Sequence, residues 1–595
     1  MSLLPFAPYS ANIEKTAFAE WGRGKMHPVI EKLGKETVLF DGGMGTQLQA
    51  KGLKGGELPE MWNLEHPEIV YELQKAYVDA GCEILKTNTF GGNALKLKRS
   101  GHAVAEIVTA AMDIAHRASG GKAAVALDIG PLGRLLEPFG DLPFEDAYEL
   151  FKEMVVAGRD RADLVIIETM TDIYEVKAAM LAVKENSDLP MIVTCTFDAN
   201  GRMLTGSSIE AAMTLVESLG AAAVGINCSL GPEQMEKFVP RLLQSTNLPV
   251  VVNPNAGLPV MVDGKTTYPV GAEEFSEYAK KFYALGVAVF GGCCGTTPDH
   301  IRAVGEPVKG KPVVQYEKPA RTVISSHRKV VTIGARPVLI GERINPTGKP
   351  DMEEMLRDED YDSLCDEATE QVDEGAEVLD INLGLAGIDE EAAFTEFIPY
   401  LQTMTDVPLA IDTLNMEALE AALRLYNGKP LVNSVTGAED MLHKVLPLVK
   451  KYGAAVVGLT MDERGIPQTA EERVKIAEKI IRTAESYGIK REDVLIDTVV
   501  QPAAFDTTTA QVTLTALKTV REALKVQTVL GISNVSYGLP KRTVLSAAFF
   551  TLALQNGLSA GIVNPLSRNV MNAYRAWCVL GGFDTECEDY IDAVN

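Results

Sequence analysis

Three cysteines have the spacing and surroundings of metal ligands. Cys293 and Cys294 stand side by side in the run FGGCCG (residues 290–295), where an apolar segment ends in two glycines. Glycine lets the backbone turn and approach closely, so both sulfur atoms can be aimed at one point rather than at opposite faces of a strand. Cys228 ends the similar run AVGINC (residues 223–228) and is the candidate for a third thiol. Three thiolates without a fourth protein ligand are typical of a catalytic zinc site with one open position.

The adjacent pair has a second interpretation, a vicinal disulfide or two buried thiols without a metal, because free cysteine is among the most buried residue types. His300 lies early in the helix predicted after Cys294, and we expect it not to bind the metal. The remaining cysteines lie within apolar runs or helical segments and are expected to have no role in the site: Cys82, Cys195, Cys365, Cys578 and Cys587.

The motifs around these cysteines resemble the homocysteine S-methyltransferase family. They read GINCSLGP (residues 225–232) and FGGCCGTTP (residues 290–298). The resemblance implies that the three cysteines hold zinc and that the thiol of homocysteine takes the open position. It also implies that Asp41 and Glu168 hold the amino group of homocysteine, a role that suits carboxylates near a metal-bound thiolate. Without the resemblance, Asp41 is interpreted as a turn residue and Glu168 as a helix-entry residue.

A second set of polar residues follows the apolar runs in the second half of the chain. It contains carboxylates and amides but no cysteine or histidine: Glu342, Asn345, Asp380, Asn382, Asp412, Asn433, Asp497 and Asn534. Such a ring suits a divalent metal, and it also suits a flat heterocycle with donors and acceptors along its edge. A 2-amino-4-oxopyrimidine has such an edge, because one carboxylate can accept hydrogen bonds from its exocyclic amine and its ring N–H together.

Four motifs in this half resemble the pterin-binding barrels, a group that includes dihydropteroate synthase and the methyltetrahydrofolate:corrinoid methyltransferases. The motifs are GERINPTG (residues 341–348), ID (411–412), NS (433–434) and GISNVSYG (531–538). The resemblance implies that the polar ring binds 5-methyltetrahydrofolate and that Asn534 is catalytic through a contact with N5. For Asp380 and Asn382, which alternate along one strand, polarity inside a packed barrel is the alternative.

The elements that must position these residues follow one repeating pattern. Short aliphatic runs end in polar or glycine residues, and each is followed by a helix-length segment. Strands are predicted at residues 38–41, 84–88, 123–128, 164–168, 191–197, 223–228, 250–255 and 287–294 in the first half. They are predicted at residues 338–342, 378–382, 409–412, 431–434, 455–459, 494–497, 528–534 and 561–564 in the second. Eight buried parallel strands alternating with helices close into a barrel of about 250 residues, with function at the carboxyl ends of the strands.

We therefore predict an α/β fold of two (β/α)8 TIM barrels in tandem. The strand ends of the first barrel carry Asp41, Asn88, Asp128, Glu168, Cys228, Asn255, Cys293 and Cys294, which places them around one mouth. The predicted domains are an N-terminal extension (1–36), a zinc-dependent homocysteine-binding barrel (37–303), a linker (304–336) and a pterin-binding barrel (337–595).

Composition excludes some partners. The formal net charge of −25 argues against a nucleic-acid or anionic-membrane surface, because such binding depends on clustered Lys and Arg. The longest uncharged stretch, residues 543–566, is interrupted by QNG and NP and is predicted to be a helix, a turn and a strand. Residues 1–25 lack the pattern of a signal peptide. We expect a cytoplasmic protein with no nucleic-acid and no membrane partner.

The order of the two halves, from about residue 36 onward, resembles the amino-terminal half of the cobalamin-dependent methionine synthases. The resemblance implies methyl transfer from 5-methyltetrahydrofolate to homocysteine, giving methionine and tetrahydrofolate, with zinc at one site and methylcobalamin as the carrier. Because the two barrels account for the whole sequence, we expect the corrinoid on a separate binding protein or on a segment removed from this chain.

Two alternatives stay open from the sequence. In the first, one barrel methylates homocysteine directly from a sulfonium or betaine donor, and the other is a methylenetetrahydrofolate reductase or another folate-binding domain. In the second, the chain is a non-catalytic scaffold that binds zinc and folate for a corrinoid protein.

Overall fold

The computed structural model describes residues 27–262, 265–316 and 318–594. The chain divides into two compact units, Met1–Lys318 and Pro319–Asn595. Each unit contains one barrel of parallel strands with helices around it, so the predicted fold class is confirmed. Residues 1–26, the larger part of the predicted N-terminal extension, lie outside the described residues.

Eight parallel strands form the first barrel. The strands described in this unit are β1 (Val38–Leu39), β2 (Ile84–Lys86), β3 (Ala124–Ile129), β4 (Leu164–Met170), β5 (Met191–Cys195), β6 (Ala223–Asn227), β7 (Val250–Asn253), β8 (Val260–Val262), β9 (Lys265–Thr267) and β10 (Val289–Phe290). The sheet order is β1-β10-β7-β6-β5-β4-β3-β2, and a parallel bridge between Phe40 and Ile84 spans the remaining gap. Strands β8 and β9 form a separate antiparallel hairpin that the sequence pattern did not predict.

Helices surround this barrel and close its amino-terminal end. They are α1 (Pro28–Lys32), α2 (Gly45–Ala50), α3 (Trp62–Glu65), α4 (Pro67–Asp79), α5 (Ala94–Leu97), α6 (Val104–Ser119), α7 (Phe144–Gly158), α8 (Ile173–Asn186), α9 (Ile209–Ser218), α10 (Pro232–Glu236), α11 (Val239–Ser245), α12 (Ala272–Leu285) and α13 (Pro298–Val308). Val29 and Ile30 of α1 pack in one apolar cluster with the inward side chains of the strands, such as Ile84 and Ala126. This helix therefore belongs to the barrel, because its apolar face covers the interior.

The second unit has a closed barrel and an additional hairpin. The strands described are β11 (Thr322–Ser325), β12 (Val330–Ile333), β13 (Val338–Ile344), β14 (Val378–Ile381), β15 (Leu409–Asp412), β16 (Leu431–Thr436), β17 (Ala455–Leu459), β18 (Val494–Asp497), β19 (Gln527–Gly531) and β20 (Ala560–Val563). Strands β13 to β20 are parallel, and they close the barrel in chain order, as the sequence predicts.

The helices of this unit follow the strands in the expected alternation. They are α14 (Pro350–Arg357), α15 (Tyr361–Asp373), α16 (Glu390–Met404), α17 (Met416–Leu425), α18 (Glu439–Tyr452), α19 (Ala470–Ser486), α20 (Thr509–Thr519), α21 (Arg542–Gln555), α22 (Arg568–Leu580) and α23 (Glu588–Val594). The uncharged stretch 543–566 lies in α21, a turn and β20, as predicted. None of the described helices is both long enough and apolar enough to cross a membrane.

Much of the predicted linker, residues 304–336, is structured. Helix α13 continues to Val308, and the hairpin β11–β12 packs Ile324, Val331 and Ile333 into the core cluster of the second barrel. The hydroxyl of Tyr426 donates a hydrogen bond of 2.9 Å to the carbonyl of Ser325, which holds the hairpin in place. The polar residues at 325–329 therefore mark a hairpin turn, and the apolar residues beside them cover the amino-terminal end of a barrel.

Candidate metal centre and pterin site

The thiols of Cys228, Cys293 and Cys294 converge at the carboxyl ends of β6 and β10. Their sulfur atoms all lie within 4.8 Å of one another, and the Cys228 and Cys294 Sγ atoms are 4.0 Å apart. Zinc–sulfur bonds of about 2.3 Å in a tetrahedron place sulfur atoms about 3.8 Å apart, so the three thiols fit a zinc ion. All eight cysteines lie in the described ranges, and none of them forms a disulfide there.

The end of β7 fixes the backbone of these thiols. The amide of Cys228 donates to the carbonyl of Asn253, and the amide of Cys294 donates to Asn255 Oδ1, both at 3.1 Å. Gly292 is required at its position, because a Cβ atom there would lie 2.4 Å from the hydroxyl of Thr296. The loops therefore hold the sulfur atoms in a defined arrangement.

The thiols of this group differ in their pKa. Hydrogen bonds from the thiols of Cys228 and Cys293 lower the pKa of Cys294 to about 3, whereas hydrogen bonds with Cys228 and then Cys294 raise the pKa of Cys293 well above its ordinary value. One thiolate therefore forms readily, while repulsion keeps the others protonated until a cation compensates the charge. His300 is not available as a metal ligand, because its Nδ1 contacts the Thr297 hydroxyl at 2.9 Å and its Nε2 contacts the Val270 carbonyl at 3.0 Å.

The predicted carboxylates of the first barrel do come together, around a lysine that the sequence analysis missed. Lys86 Nζ lies 3.0 and 3.2 Å from the two oxygens of Glu168 and 3.5 Å from Asp41 Oδ1. Asp41 Oδ2 also accepts a hydrogen bond of 2.8 Å from the Lys86 amide. The alternation of β2 could have indicated this position, because Ile84 points into the barrel interior and Lys86 is two residues further along.

A third carboxylate, Asp128, completes this cluster at the end of β3. Asp41, Lys86, Asp128 and Glu168 are all buried. Burial raises the pKa of Asp41 to about 6, and burial followed by the charge of Glu168 raises the pKa of Asp128 well above its usual range. The mouth of the first barrel thus combines three thiols with a buried cluster of three carboxylates and one ammonium.

The polar ring of the second barrel contains paired carboxylates and amides. Asn433 Nδ2 donates to Asp380 Oδ1 and Asn382 Nδ2 donates to Asp412 Oδ2, both at 3.0 Å. Burial and the charge of Asp412 raise the pKa of Asp380 well above its ordinary value. Asp380 in β14 and Asn382 directly after it therefore form two hydrogen-bonded pairs, one with Asn433 of β16 and one with Asp412 of β15.

Asp497 is a buried hydrogen-bond acceptor of this mouth. It accepts a hydrogen bond of 2.6 Å from the Val499 amide and another from the Gly531 amide, and burial raises its pKa to about 7. Arg473, which the sequence analysis did not select, is 1% exposed and donates to the carbonyls of Thr498 and Val499 at 2.9 and 2.7 Å. Arg473 thus fixes the loop that holds Asp497.

The remaining predicted residues differ in their surroundings. Glu342 Oε2 accepts a hydrogen bond of 2.9 Å from the Ser533 hydroxyl, and burial raises its pKa. Asn345 Oδ1 accepts from the Thr347 amide at 3.0 Å, which is a local turn contact. Asn534 is exposed on the 3-10 turn Ile532–Ser536 that follows β19. Its amide is therefore accessible to a ligand at this mouth.

Comparison with known proteins divides the chain in the same way. Residues 38–308 match the family model described as homocysteine S-methyltransferase, and residues 341–564 match the one described as pterin binding enzyme. Proteins named methionine synthase from Mycobacterium tuberculosis (strain ATCC 25618 / H37Rv) and Mycobacterium leprae (strain TN) are each 32% identical over 587 residues. These alignments cover 90% of this chain and 48% of each relative. The chain thus spans about half the length of the curated relatives it matches.

Several solved structures are similar to part of this chain, and one of them is described here. It is the metallated form of the homocysteine methyltransferase MmuM from Escherichia coli, with 22% sequence identity and a TM-score of 0.41. The similarity covers 47% of this chain and 99% of that chain.

Proposed function

We infer that this chain, which belongs to the homocysteine S-methyltransferase family in its first barrel and to the pterin binding enzyme family in its second, takes part in methyl transfer from 5-methyltetrahydrofolate to homocysteine. The observation that carries this proposal is the presence, in one chain, of three convergent thiols at one barrel mouth and a carboxylate–amide ring at the other. A corrinoid, on a partner protein or on a further part of a longer chain, carries the methyl group between them.

The net reaction is balanced without an oxidant or a reductant. The bond between N5 and the methyl carbon breaks and a bond between sulfur and that carbon forms. The thiol of homocysteine loses its proton and N5 of tetrahydrofolate gains one. The protein must therefore favour a thiolate at one site and a proton or hydrogen bond at N5 at the other.

Cys228, Cys293 and Cys294 would hold a zinc ion in the first barrel. When bound, zinc supplies a Lewis acid that keeps a substrate thiol, whose ordinary pKa is about 8.5, deprotonated at neutral pH. The buried carboxylates of Asp41 and Glu168, predicted to hold the amino group, belong to the cluster that orients the rest of the substrate. The strand ends of β6, β7 and β10 keep the thiols in position.

Asp497 is proposed to receive the exocyclic amine and ring N–H of the pterin, and the paired residues of β14 to β16 contact the remaining edge. Glu342 lies at the same mouth, where its carboxylate accepts a hydrogen bond from the Ser533 hydroxyl. Asn534, exposed after β19, is proposed to hydrogen-bond N5 as it gains charge. Asn345 is still proposed as a pterin contact, and its side chain stabilises the loop in which it lies.

Methyl transfer from 5-methyltetrahydrofolate to free cob(I)alamin tests the proposal at the second barrel. We expect this half-reaction to proceed with the purified chain, and methylation of homocysteine by free methylcobalamin to proceed with the zinc-loaded chain. A scaffold without catalytic function gives neither reaction.

The pKa of Asp497 predicts how pterin binding depends on pH. With a pKa of about 7, this carboxyl is protonated at pH 6 and ionised at pH 8, and only the ionised form accepts two N–H groups. We expect the Kd for 5-methyltetrahydrofolate to fall by about tenfold from pH 6 to pH 8. Isothermal titration across this range checks the expectation.

Asp497→Asn provides the contrast for this prediction. It leaves one donor of the ligand without an acceptor, so binding at pH 8 weakens by about 1–3 kcal/mol and loses its pH dependence. Unchanged affinity in Asp497→Asn contradicts the proposed orientation of the pterin.

Asn534→Ala separates catalysis from binding in the second barrel. Because its contact strengthens only as N5 becomes positive, we expect the rate of methyl transfer to cob(I)alamin to fall by about 10²-fold while the Kd for the folate changes by less than about threefold. Single-turnover kinetics measures the first quantity and isothermal titration the second. Asn556→Ala, at the end of α21 and thus at the opposite end of the barrel, is the matched control. Equal losses in rate and affinity contradict the assigned role.

A further inference from the structure

The side chain of Asn227, at the end of β6, lies between the three thiols and the end of β4. It is fully buried, with an exposed fraction of 0%. Its Oδ1 accepts a hydrogen bond of 2.9 Å from the Thr169 amide, and its Nδ2 donates to the Thr169 hydroxyl at 2.7 Å. The same Nδ2 lies 3.9 Å from Cys293 Sγ, within reach of an N–H···S hydrogen bond. One side chain thus contacts both a candidate zinc ligand and the residue that follows Glu168.

The contacts with Thr169 fix the orientation of the Asn227 amide. A backbone N–H group can only donate, so the oxygen of Asn227, and not its nitrogen, must face the Thr169 amide. The two N–H groups of Nδ2 are then divided between Thr169 Oγ1 and Cys293 Sγ. Thr169 has a φ of +63°, which is uncommon for a β-branched residue, and both contacts hold it there. The donor that faces the sulfur atom is therefore set by the fold.

The other two sulfur atoms also have donors from outside the thiol group. The Ser229 amide donates toward Cys228, and the Tyr268 hydroxyl donates toward Cys294. Gly295 allows Tyr268 to approach, because a Cβ atom at this glycine would lie 2.2 Å from the Cγ atom of Tyr268. One N–H or O–H group thus faces each candidate zinc ligand. Of the two side chains that supply such a group, Asn227 is buried and Tyr268 is partly exposed.

A hydrogen bond to a thiolate affects which sulfur atom a methyl donor attacks. A cysteine ligand and a substrate thiol on the same metal ion are both thiolates, so both are nucleophiles. An N–H donor withdraws electron density from sulfur and lowers its basicity, and the nucleophilicity of a thiolate falls with its basicity. Because Asn227 is buried, water does not compete for its N–H group. The Cys293 sulfur is therefore weakened as a nucleophile while it remains a ligand.

Building on the proposed function, on which this inference rests, we propose that Asn227 is a positioning residue whose N–H···S hydrogen bond protects Cys293 from methylation, so that a methyl donor reacts with the substrate thiol. In the side reaction that Asn227 suppresses, Cys293 Sγ attacks the methyl carbon and an S–C bond forms. The bond between that carbon and the leaving group breaks, and the leaving group keeps the electron pair. The product is an uncharged thioether in place of a thiolate ligand.

Methyl iodide and the zinc-loaded full chain, without homocysteine, test this role. Each methylation of a thiolate releases one iodide ion and needs no further reactant. Peptide mass spectrometry measures S-methylation of Cys293. Methylation of Cys587, which lies outside the thiol group and is also partly exposed, gives the reference in the same sample. Zinc content before the reaction establishes that each variant is loaded.

Asn227→Leu removes the donor at a similar side-chain size. We expect the ratio of Cys293 to Cys587 methylation to rise by at least about fivefold, because a hydrogen bond to a charged group is lost. Thr169→Ala is the matched control, since it removes the Thr169 hydroxyl and leaves both the Asn227 donor and the sulfur atom in place. Its ratio is expected to stay within about twofold of the wild-type value. An unchanged ratio in Asn227→Leu, or an equal rise in both variants, overturns the inference.

Cobalt substitution gives a readout that does not depend on methylation. With Co²⁺ in place of zinc, loss of a hydrogen bond raises the energy of the sulfur lone pairs, so the sulfur-to-cobalt charge-transfer band moves to longer wavelength. We expect this shift in Asn227→Leu and no shift in Thr169→Ala. If Asn227→Leu does not hold metal, Asn227→Ala replaces it with the same expected results. Loss of metal from both Asn227 variants assigns the residue to metal retention and overturns the inference.

The outcomes separate this inference from the proposed function. If the wild-type chain binds no zinc, both fail together. If it binds zinc and methylates homocysteine with methylcobalamin, but Cys293 is no more reactive in Asn227→Leu, only the inference fails. If Asn227 protects Cys293 but the wild-type chain does not methylate homocysteine, only the proposed function fails.

Discussion

Zinc and homocysteine binding are expected to disappear together when Cys293 and Cys294 are both changed to serine, while 5-methyltetrahydrofolate binding stays intact. The hydroxyl of serine is a poor zinc ligand, and the remaining thiol of Cys228 cannot retain the ion alone. We expect bound zinc to fall from about one ion per chain to background, and homocysteine affinity to fall by at least about 100-fold. Elemental analysis and isothermal titration measure the two effects.

Cys587→Ser is the control for this prediction, because Cys587 lies outside the thiol group. It should retain full zinc occupancy and normal homocysteine affinity. Full zinc occupancy in the Cys293 and Cys294 double variant would contradict the assignment of the metal centre. Retained folate binding shows that the second unit remains folded, as its separate core predicts.

The chain alone, supplied with homocysteine and 5-methyltetrahydrofolate, is expected to make no methionine. The proposed homocysteine site uses only side chains of the first barrel, and the proposed folate site uses only side chains of the second. Methyl transfer requires the reacting atoms to be about 3–3.5 Å apart. Addition of reduced corrinoid, free or on a binding protein, should restore turnover, and the measurement is the amount of methionine formed with and without it.

Variants of each site provide the controls for this second prediction. Asn534→Ala should slow only the half-reaction from 5-methyltetrahydrofolate to cob(I)alamin. The cysteine double variant should abolish only the half-reaction from methylcobalamin to homocysteine. Methionine formed at full rate without corrinoid would contradict the carrier mechanism and favour direct transfer from a sulfonium or betaine donor.

Much of the fold could be predicted from the sequence. Each of the sixteen aliphatic runs overlaps a barrel strand, because a buried parallel strand needs a short continuous apolar segment, and its end is marked by nearby polar or glycine residues. The hairpin β11–β12, by contrast, was not predicted from the sequence. Its four-residue strands flank polar turn residues, and local composition does not distinguish a hairpin that covers a barrel end from a linker.

The candidate metal centre could also be predicted from the sequence. Cys293 and Cys294 are neighbours in the chain, and β6 and β10 are separated only by β7 in the sheet. Barrel closure then brings Cys228 to them. The convergence of the three thiols therefore follows from strand order and strand ends, which the pattern of the sequence contains.

Only the tertiary structure decided which polar side chains meet inside each mouth. Lys86 is the last residue of β2, two positions before the strand end that the sequence pattern predicts, and its contact with Glu168 joins residues that are 82 positions apart. The pairing of Asp380 with Asn433 likewise crosses from β14 to β16, past the intervening strand. Such contacts depend on the stagger between strands and on side-chain rotamers, because these set the level at which each inward side chain lies. Strand periodicity determines that a side chain points inward, but it carries no information about the partner that the side chain finds there.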